Sequence, residues 1–192
     1  RGDMDVNQVV EASSSDRWIA GVDGSEHSHH ALDWAALHVA GRASTLEVVS
    51  AWQSAFWGPG PSPDAADGER QPVKTAAIAT AGEAAERVRA SSGITVEHRA
   101  AHGGASAVLL DAADEAELLV LGTRGLGGFR RLVLGSTSAQ CATHATTPTV
   151  VVPHQPPVGP ERLVVAIDGS DNSYAAANWA VQYAAPGTTV TF

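Results

Sequence analysis

Cysteine, aromatic residues and positive charge are all scarce in this chain of 192 residues. The single cysteine, Cys141, cannot close an intrachain disulfide, so no covalent staple substitutes for a packed core. Lysine and arginine number 12 against 21 aspartates and glutamates, a formal net charge of −9. With no basic cluster interleaved with aromatics, that balance excludes general binding to nucleic acid or to an anionic membrane surface. Any phosphate must be held locally. No apolar run approaches the roughly 18 residues of a membrane span. No charged-then-apolar segment resembles a secretory signal, so a cytoplasmic setting is expected. HExxH, CxxC and a Ser-His-Asp order are also missing, which removes the usual signs of a hydrolytic or metal centre.

The 44% apolar content is enough for one α/β domain of ordinary size with a remainder. That remainder is a repeat. Residues 19 to 39, IAGVDGSEHSHHALDWAALHV, are echoed by 164 to 184, VVAIDGSDNSYAAANWAVQYA. Between Val22 and Ala36, seven of fifteen positions are identical to their echoes, including Asp23/Asp168, Ser28/Ser173 and Trp34/Trp179. The expected organisation is a flexible N-terminal arm (1 to 15), a complete α/β domain (16 to 153), a Pro-rich linker (154 to 160) and a partial second repeat (161 to 192). The second copy spans a strand, a helix and the start of another strand. It is expected to be either a tandem domain cut short or a strand donor to a neighbour.

Apolar periodicity predicts alternating strands and helices. Trp18 to Asp23 reads as a strand ending in an Asp-Gly-Ser turn. Leu32, Ala35, Ala36 and Val39 then form one helical stripe. Leu46 to Trp52 is the second strand, followed by a Gly/Pro-rich stretch (54 to 72) expected to be a loop. Ile78, Ala81, Ala85 and Val88 mark a second helix, Ile94 to Ala101 a third strand, and residues 105 to 116 a third helix. Leu118 to Leu121 is a buried strand, Ser136 to His144 a short helix and Thr149 to Val152 a fifth strand. Such alternation implies a parallel sheet whose ligands bind where strand order reverses, beyond the strand carboxyl ends. If the first and fourth strands flank that point, Asp23 and Gly122 face one crevice.

The stretch GTRGLGGFRRLVLGSTS (122 to 138) holds five glycines and three arginines. Its pattern is G-x2-G-x9-G-S, carried by Gly122, Gly125, Gly135 and Ser136. Glycine lets a ligand approach backbone without a Cβ in the way. Gly135-Ser136-Thr137 opens a helix, whose free N–H groups favour an anion. Arg124, Arg130 and Arg131 would supply charge, and ATP would bring Mg²⁺ on its phosphates. The spacing fits neither a P-loop nor G-x-G-x-x-G. A Gly-rich surface loop without a ligand stays open as the alternative.

The segments VDGSEHSHHALDWA, LLVLGTRGLGGFRRLVLGSTS and TPTVVVP together resemble the universal stress protein family, in its ATP-binding branch, over residues 16 to 153. The resemblance implies an α/β fold with a five-stranded parallel sheet of order 3-2-1-4-5 and helices on both faces, like that of adenine nucleotide α-hydrolases. It also implies dimerisation. By position it implies Gly21, Val22 and Asp23 at the base and ribose end, with Ala51 offering backbone to adenine. Leu121 and Gly122 would flank the ribose, and Gly125, Gly135, Ser136 and Thr137 would hold phosphates. The loop arginines are not fixed in the family and are assigned no role by it.

Several other residues have ordinary explanations. Among His27, His29, His30 and Glu26, pairs at i and i+3 share a helix face, but Asn172, Tyr174 and Ala175 replace the histidines in the echo, which favours a solvated surface over a metal cluster. Asp23 has a second reading as a turn carboxylate beside the following helix, since Asp168 recurs without a glycine loop. Cys141 reads as core. The function expected is an ATP-binding regulatory or stress-response module, a conformational or oligomeric switch with at most slow ATP hydrolysis or self-phosphorylation. Its expected partners are an adenine nucleotide with Mg²⁺ and a second copy, or a complete second domain, of the same fold. A ligand-free dimeric scaffold and a hydrolase acting at the α-phosphate stay open. On this reading Gly122→Glu should abolish nucleotide binding and leave the fold intact.

Overall fold

The computed structural model describes residues 17–42, 44–53, 63–125, 134–153, 162–184 and 187–192, with backbone alone over 63–70. The chain divides into two compact units, Arg1–Gln155 and Pro156–Phe192. The expected N-terminal arm, the Pro-rich linker, Arg130 and Arg131 lie outside the described residues.

In the first unit, β1 (Arg17–Gly21), α1 (Glu26–Val39), β2 (Thr45–Trp52), α2 (Pro63–Ser92), β3 (Val96–His102), α3 (Ala105–Ala113), β4 (Leu118–Gly122), α4 (Ser136–His144) and β5 (Thr149–Val152) follow one another. The strands pair in parallel in the order β3-β2-β1-β4-β5, as the family resemblance implied. A parallel sheet must be covered on both faces, and strand alternation supplies both sets of contacts. Ile19, Val49, Leu119 and Leu121 meet Val108, Leu109, Ala112 and Cys141 from α3 and α4. On the opposite face α1 packs on β1 and β4, and α2 on β2 and β3. The α1 stripe Leu32, Ala35, Ala36 and Val39 is buried.

Two polar features sit within this apolar frame. Trp18 is fully buried, and its indole N–H donates to Glu117 at 3.0 Å. Glu47, on β2, is buried between Arg17 at 3.4 Å and Arg99 at 2.5 Å. The two guanidiniums come from β1 and β3, so the charge is bracketed across three strands.

The second helix differs from the reading of its sequence. It begins at Pro63, so residues 63 to 72 of the expected loop are helical, with Pro72 inside the helix. Proline costs a hydrogen bond there, but the following Ala-rich run favours helix. The buried stripe is Ala77, Ala81, Ala84, Ala85 and Val88, whereas Ile78 is exposed. The buried stripe of small side chains sets the face that α2 turns to the sheet, and Ile78 falls outside it.

The second unit comprises β6 (Arg162–Val164), α5 (Asp171–Tyr183) and β7 (Thr189–Thr191), with β6 and β7 parallel. Its Asp-Gly-Ser turn matches that of the first unit in geometry. Gly169 has φ +86° where Gly24 has +82°, a conformation that favours glycine. Ser170 N–H donates to Asp168 at 2.9 Å, and Ser170 Oγ caps α5 by accepting from Ser173 N–H at 3.2 Å.

The Ser170 hydroxyl and amide, then Ser173, hold the Asp168 carboxyl down from 3.8 to about 2. A depressed carboxyl contributes stability above its ordinary value and loses it as pH falls through the folded value. Protection of the first-turn amides of α5, corrected for intrinsic exchange, should therefore hold above pH 3.8 and decline toward about 2. Asp168→Asn should lack that step. Identical pH profiles for the two proteins in hydrogen exchange would contradict the assignment.

Candidate functional site

The C-terminal ends of β1 and β4 lie side by side at the point where strand order reverses, with Trp18 beside Leu118 and Ala20 beside Val120. Each end runs into a turn that positions polar groups. After β1, Asp23 Oδ1 accepts from Ser25 N–H at 3.0 Å and from Ser25 Oγ at 2.6 Å. Ser25 is the N-cap of α1, its Oγ accepting from Ser28 N–H at 3.2 Å. The helix thus closes its own first turn, and Asp23 performs the turn role that its sequence allowed.

The beginning of α4 is built differently. Its N-cap is Gly135, which carries no side chain to accept from the first-turn amides. The N–H groups at the start of α4 therefore lack the side-chain acceptor that Ser25 supplies to α1. The segment is fixed from behind. Gly135 N–H donates to the Thr123 carbonyl at 2.7 Å, and Ser138 Oγ donates to the Gly122 carbonyl at 2.6 Å. The end of β4 and the first turn of α4 consequently hold a common position.

Between these turns lies a cavity of about 590 Å³, within the range of small-molecule sites. Gly21, Val22, Asp23, Ala51, Leu121, Gly122, Gly125, Gly135, Ser136 and Thr137, the ten residues singled out from sequence, all line it. Gly21, Val22, Ala51 and Leu121 are apolar. Asp23, Ser136 and Thr137, with the glycines of the loop, supply polar groups or bare backbone. Ser28, Val49, Ala105, Leu109 and Ser138 also line the cavity without a site signal in the sequence, and Arg124, expected from the sequence only as a source of charge, lines it too. Val49 and Leu109 carried only a core signal, and periodicity does not say where a core layer ends at a void.

The glycines of this site have different physical reasons. A Cβ on Gly122 would sit 2.5 Å from the His27 carbonyl oxygen and 2.9 Å from Ser28 N, both backbone atoms of α1. Gly122 therefore permits β4 to touch α1, and Gly122→Glu cannot leave the fold intact as the sequence reading expected. A Cβ on Gly125 would instead collide with the Asp23 carboxylate, a side chain that can turn. A Cβ on Gly135 would meet the Thr123 carbonyl at 3.1 Å.

Other candidates fall outside the cavity lining. His30 lies 3.9 Å from Glu26, and no group of three His, Cys, Asp or Glu residues suited to a metal comes together among the described residues. Cys141 is fully buried, and burial pushes its thiol up. No described helix is long and apolar enough to cross a membrane.

Residues 15–153 match the model of the universal stress protein family, and the chain belongs to that family. It is 31% identical over 162 residues to a universal stress protein of Mycobacterium tuberculosis, covering 79% of this chain and 54% of that protein. The chain thus spans little more than half the length of the curated relatives it matches. Among solved structures it resembles a universal stress protein from Lactobacillus plantarum at 20% identity with a TM-score of 0.60, covering 73% of this chain and 99% of that one. It also resembles a universal stress protein solved in complex with cAMP, at 28% identity with a TM-score of 0.54, covering 71% and 95% of the two chains.

Gly122→Ala should lower unfolding stability by about 1–3 kcal/mol through overpacking against α1. Gly125→Ala, which meets a movable carboxylate, should cost less than about 1 kcal/mol. Urea denaturation of the two variants measures the difference, and equal losses would show that the approach of β4 to α1 is not the constraint.

Proposed function

We propose that this chain binds an adenine nucleotide, ATP with Mg²⁺, as a regulatory module of a stress response. The observation that carries the reading is the start of α4, a helix N-terminus left without a side-chain cap that contributes Ser136 and Thr137 to a cavity at the strand-order reversal. Free amides, hydroxyls and the positive helix end suit phosphate. Gly125 and Gly135 would let phosphates approach backbone, Leu121 and Gly122 would flank the ribose, and Gly21, Val22 and Ala51 would form the apolar base end. Mg²⁺ would be held through the phosphates. The complex of a related protein with cAMP supports an adenine nucleotide as the class of ligand.

The output proposed is a change in loop order or in assembly. The Asp23 carboxylate is already engaged by Ser25, so it is poorly placed as a general base, and any ATP hydrolysis or self-phosphorylation is slow. The edge strand β5 presents backbone groups on one side and is the surface proposed for pairing with a second copy. The second unit is read as part of a second domain of the same fold, since its turn and cap repeat those of β1 and α1. The setting proposed is cytoplasmic, a reducing compartment that suits a chain with a single cysteine.

Calorimetric titration with Mg-ATP should give about one nucleotide per chain, because only the first unit combines the turn with the glycine loop. Gly125→Ala should weaken binding while retaining the wild-type fold. Absence of heat at several temperatures, with no thermal stabilisation by nucleotide, would overturn the reading in favour of a ligand-free scaffold, which gel filtration would then show as a nucleotide-independent assembly.

A further inference from the structure

Two charged residues line the cavity among those described, Asp23 and Arg124. Asp23 is satisfied by the Ser25 amide and hydroxyl. Arg124 is half-buried, and its buried Nε has no hydrogen-bond partner among the described residues. A buried donor left unpaired is costly, and native folds keep few of them without a use.

The backbone of Arg124 is held, which makes the position specific. Its Cα lies 3.5 Å from where a Gly135 Cβ would stand, beside the uncapped start of α4. Its carbonyl lies 3.4 Å from Ser25 Oγ, which joins it to the Asp-Gly-Ser turn. The residue therefore belongs to the polar end of the cavity, where α4 begins.

We infer that Arg124 is a phosphate-binding residue that sets the preference of this cavity for nucleoside polyphosphates over monophosphates. The inference rests on the nucleotide reading above and goes beyond it by naming the group that discriminates. The electrostatic reason is local. Arg124 is the cationic side chain of the described lining, so each added phosphate meets a positive charge as well as the helix end. The guanidinium also offers a planar fork of donors suited to phosphate oxygens.

The test is calorimetric titration of the wild type, Arg124→Met and Arg124→Lys with AMP, ADP and ATP, all with Mg²⁺. The wild type should bind ATP tightest and AMP weakest. Arg124→Met should lose about tenfold to a hundredfold in ATP affinity, the scale of one hydrogen-bonded charge, and much less in AMP affinity, so the ATP preference collapses. Arg124→Lys, which keeps the charge without the fork, should restore part of it. The wild-type ATP affinity should also fall more steeply with salt than that of Arg124→Met. Equal losses for AMP and ATP, or unchanged ATP binding in Arg124→Met, would overturn the inference while leaving the nucleotide reading standing. If the wild type binds none of the three nucleotides, the nucleotide reading itself falls and the inference falls with it.

Discussion

The end of β4 touches the backbone of α1 with no side chain between them, and the crevice depends on that contact. With a Cβ excluded at Gly122 by the His27 carbonyl, the strand can approach the helix that leaves β1. The turn after β1 and the loop after β4 are thereby held face to face. The hydrogen bond from Ser138 to the Gly122 carbonyl carries the constraint on to α4. Three elements distant in sequence share one short stretch of backbone, and the cavity is the space they enclose.

The two helix starts at this site show how capping divides labour. Ser25 satisfies the first turn of α1 from within the chain, and Asp23 steadies Ser25. Gly135 leaves the corresponding amides of α4 without a side-chain partner. Both helices carry the same partial positive charge at this end, but one is closed and the other open. The difference rests on a single side chain, serine against glycine.

Much of this arrangement was legible in the sequence. The bounds of α4 and β5 agree with the apolar pattern because short elements between glycine and proline leave little freedom. The strand order and the ten lining residues followed from a family resemblance rather than from periodicity, which says nothing about order. The misreadings have physical causes. A stretch rich in glycine and proline reads as a loop, yet its final ten residues join an alanine-rich helix. Ile78 is apolar and reads as buried, but it falls outside the buried stripe, in which Ala77 takes its place. Gly122 lines the cavity as expected, but its missing side chain also makes room for α1, which the sequence did not signal. A lone sequence cannot tell which neighbour a glycine makes room for.

The hydrogen bond between Gly135 N–H and the Thr123 carbonyl has a consequence for how this segment can vary. Backbone atoms supply both of its partners, so it places no demand on the Thr123 side chain. Substitution at Thr123 is therefore buffered from the start of α4, and that position can drift while the amides at the polar end of the cavity stay in register.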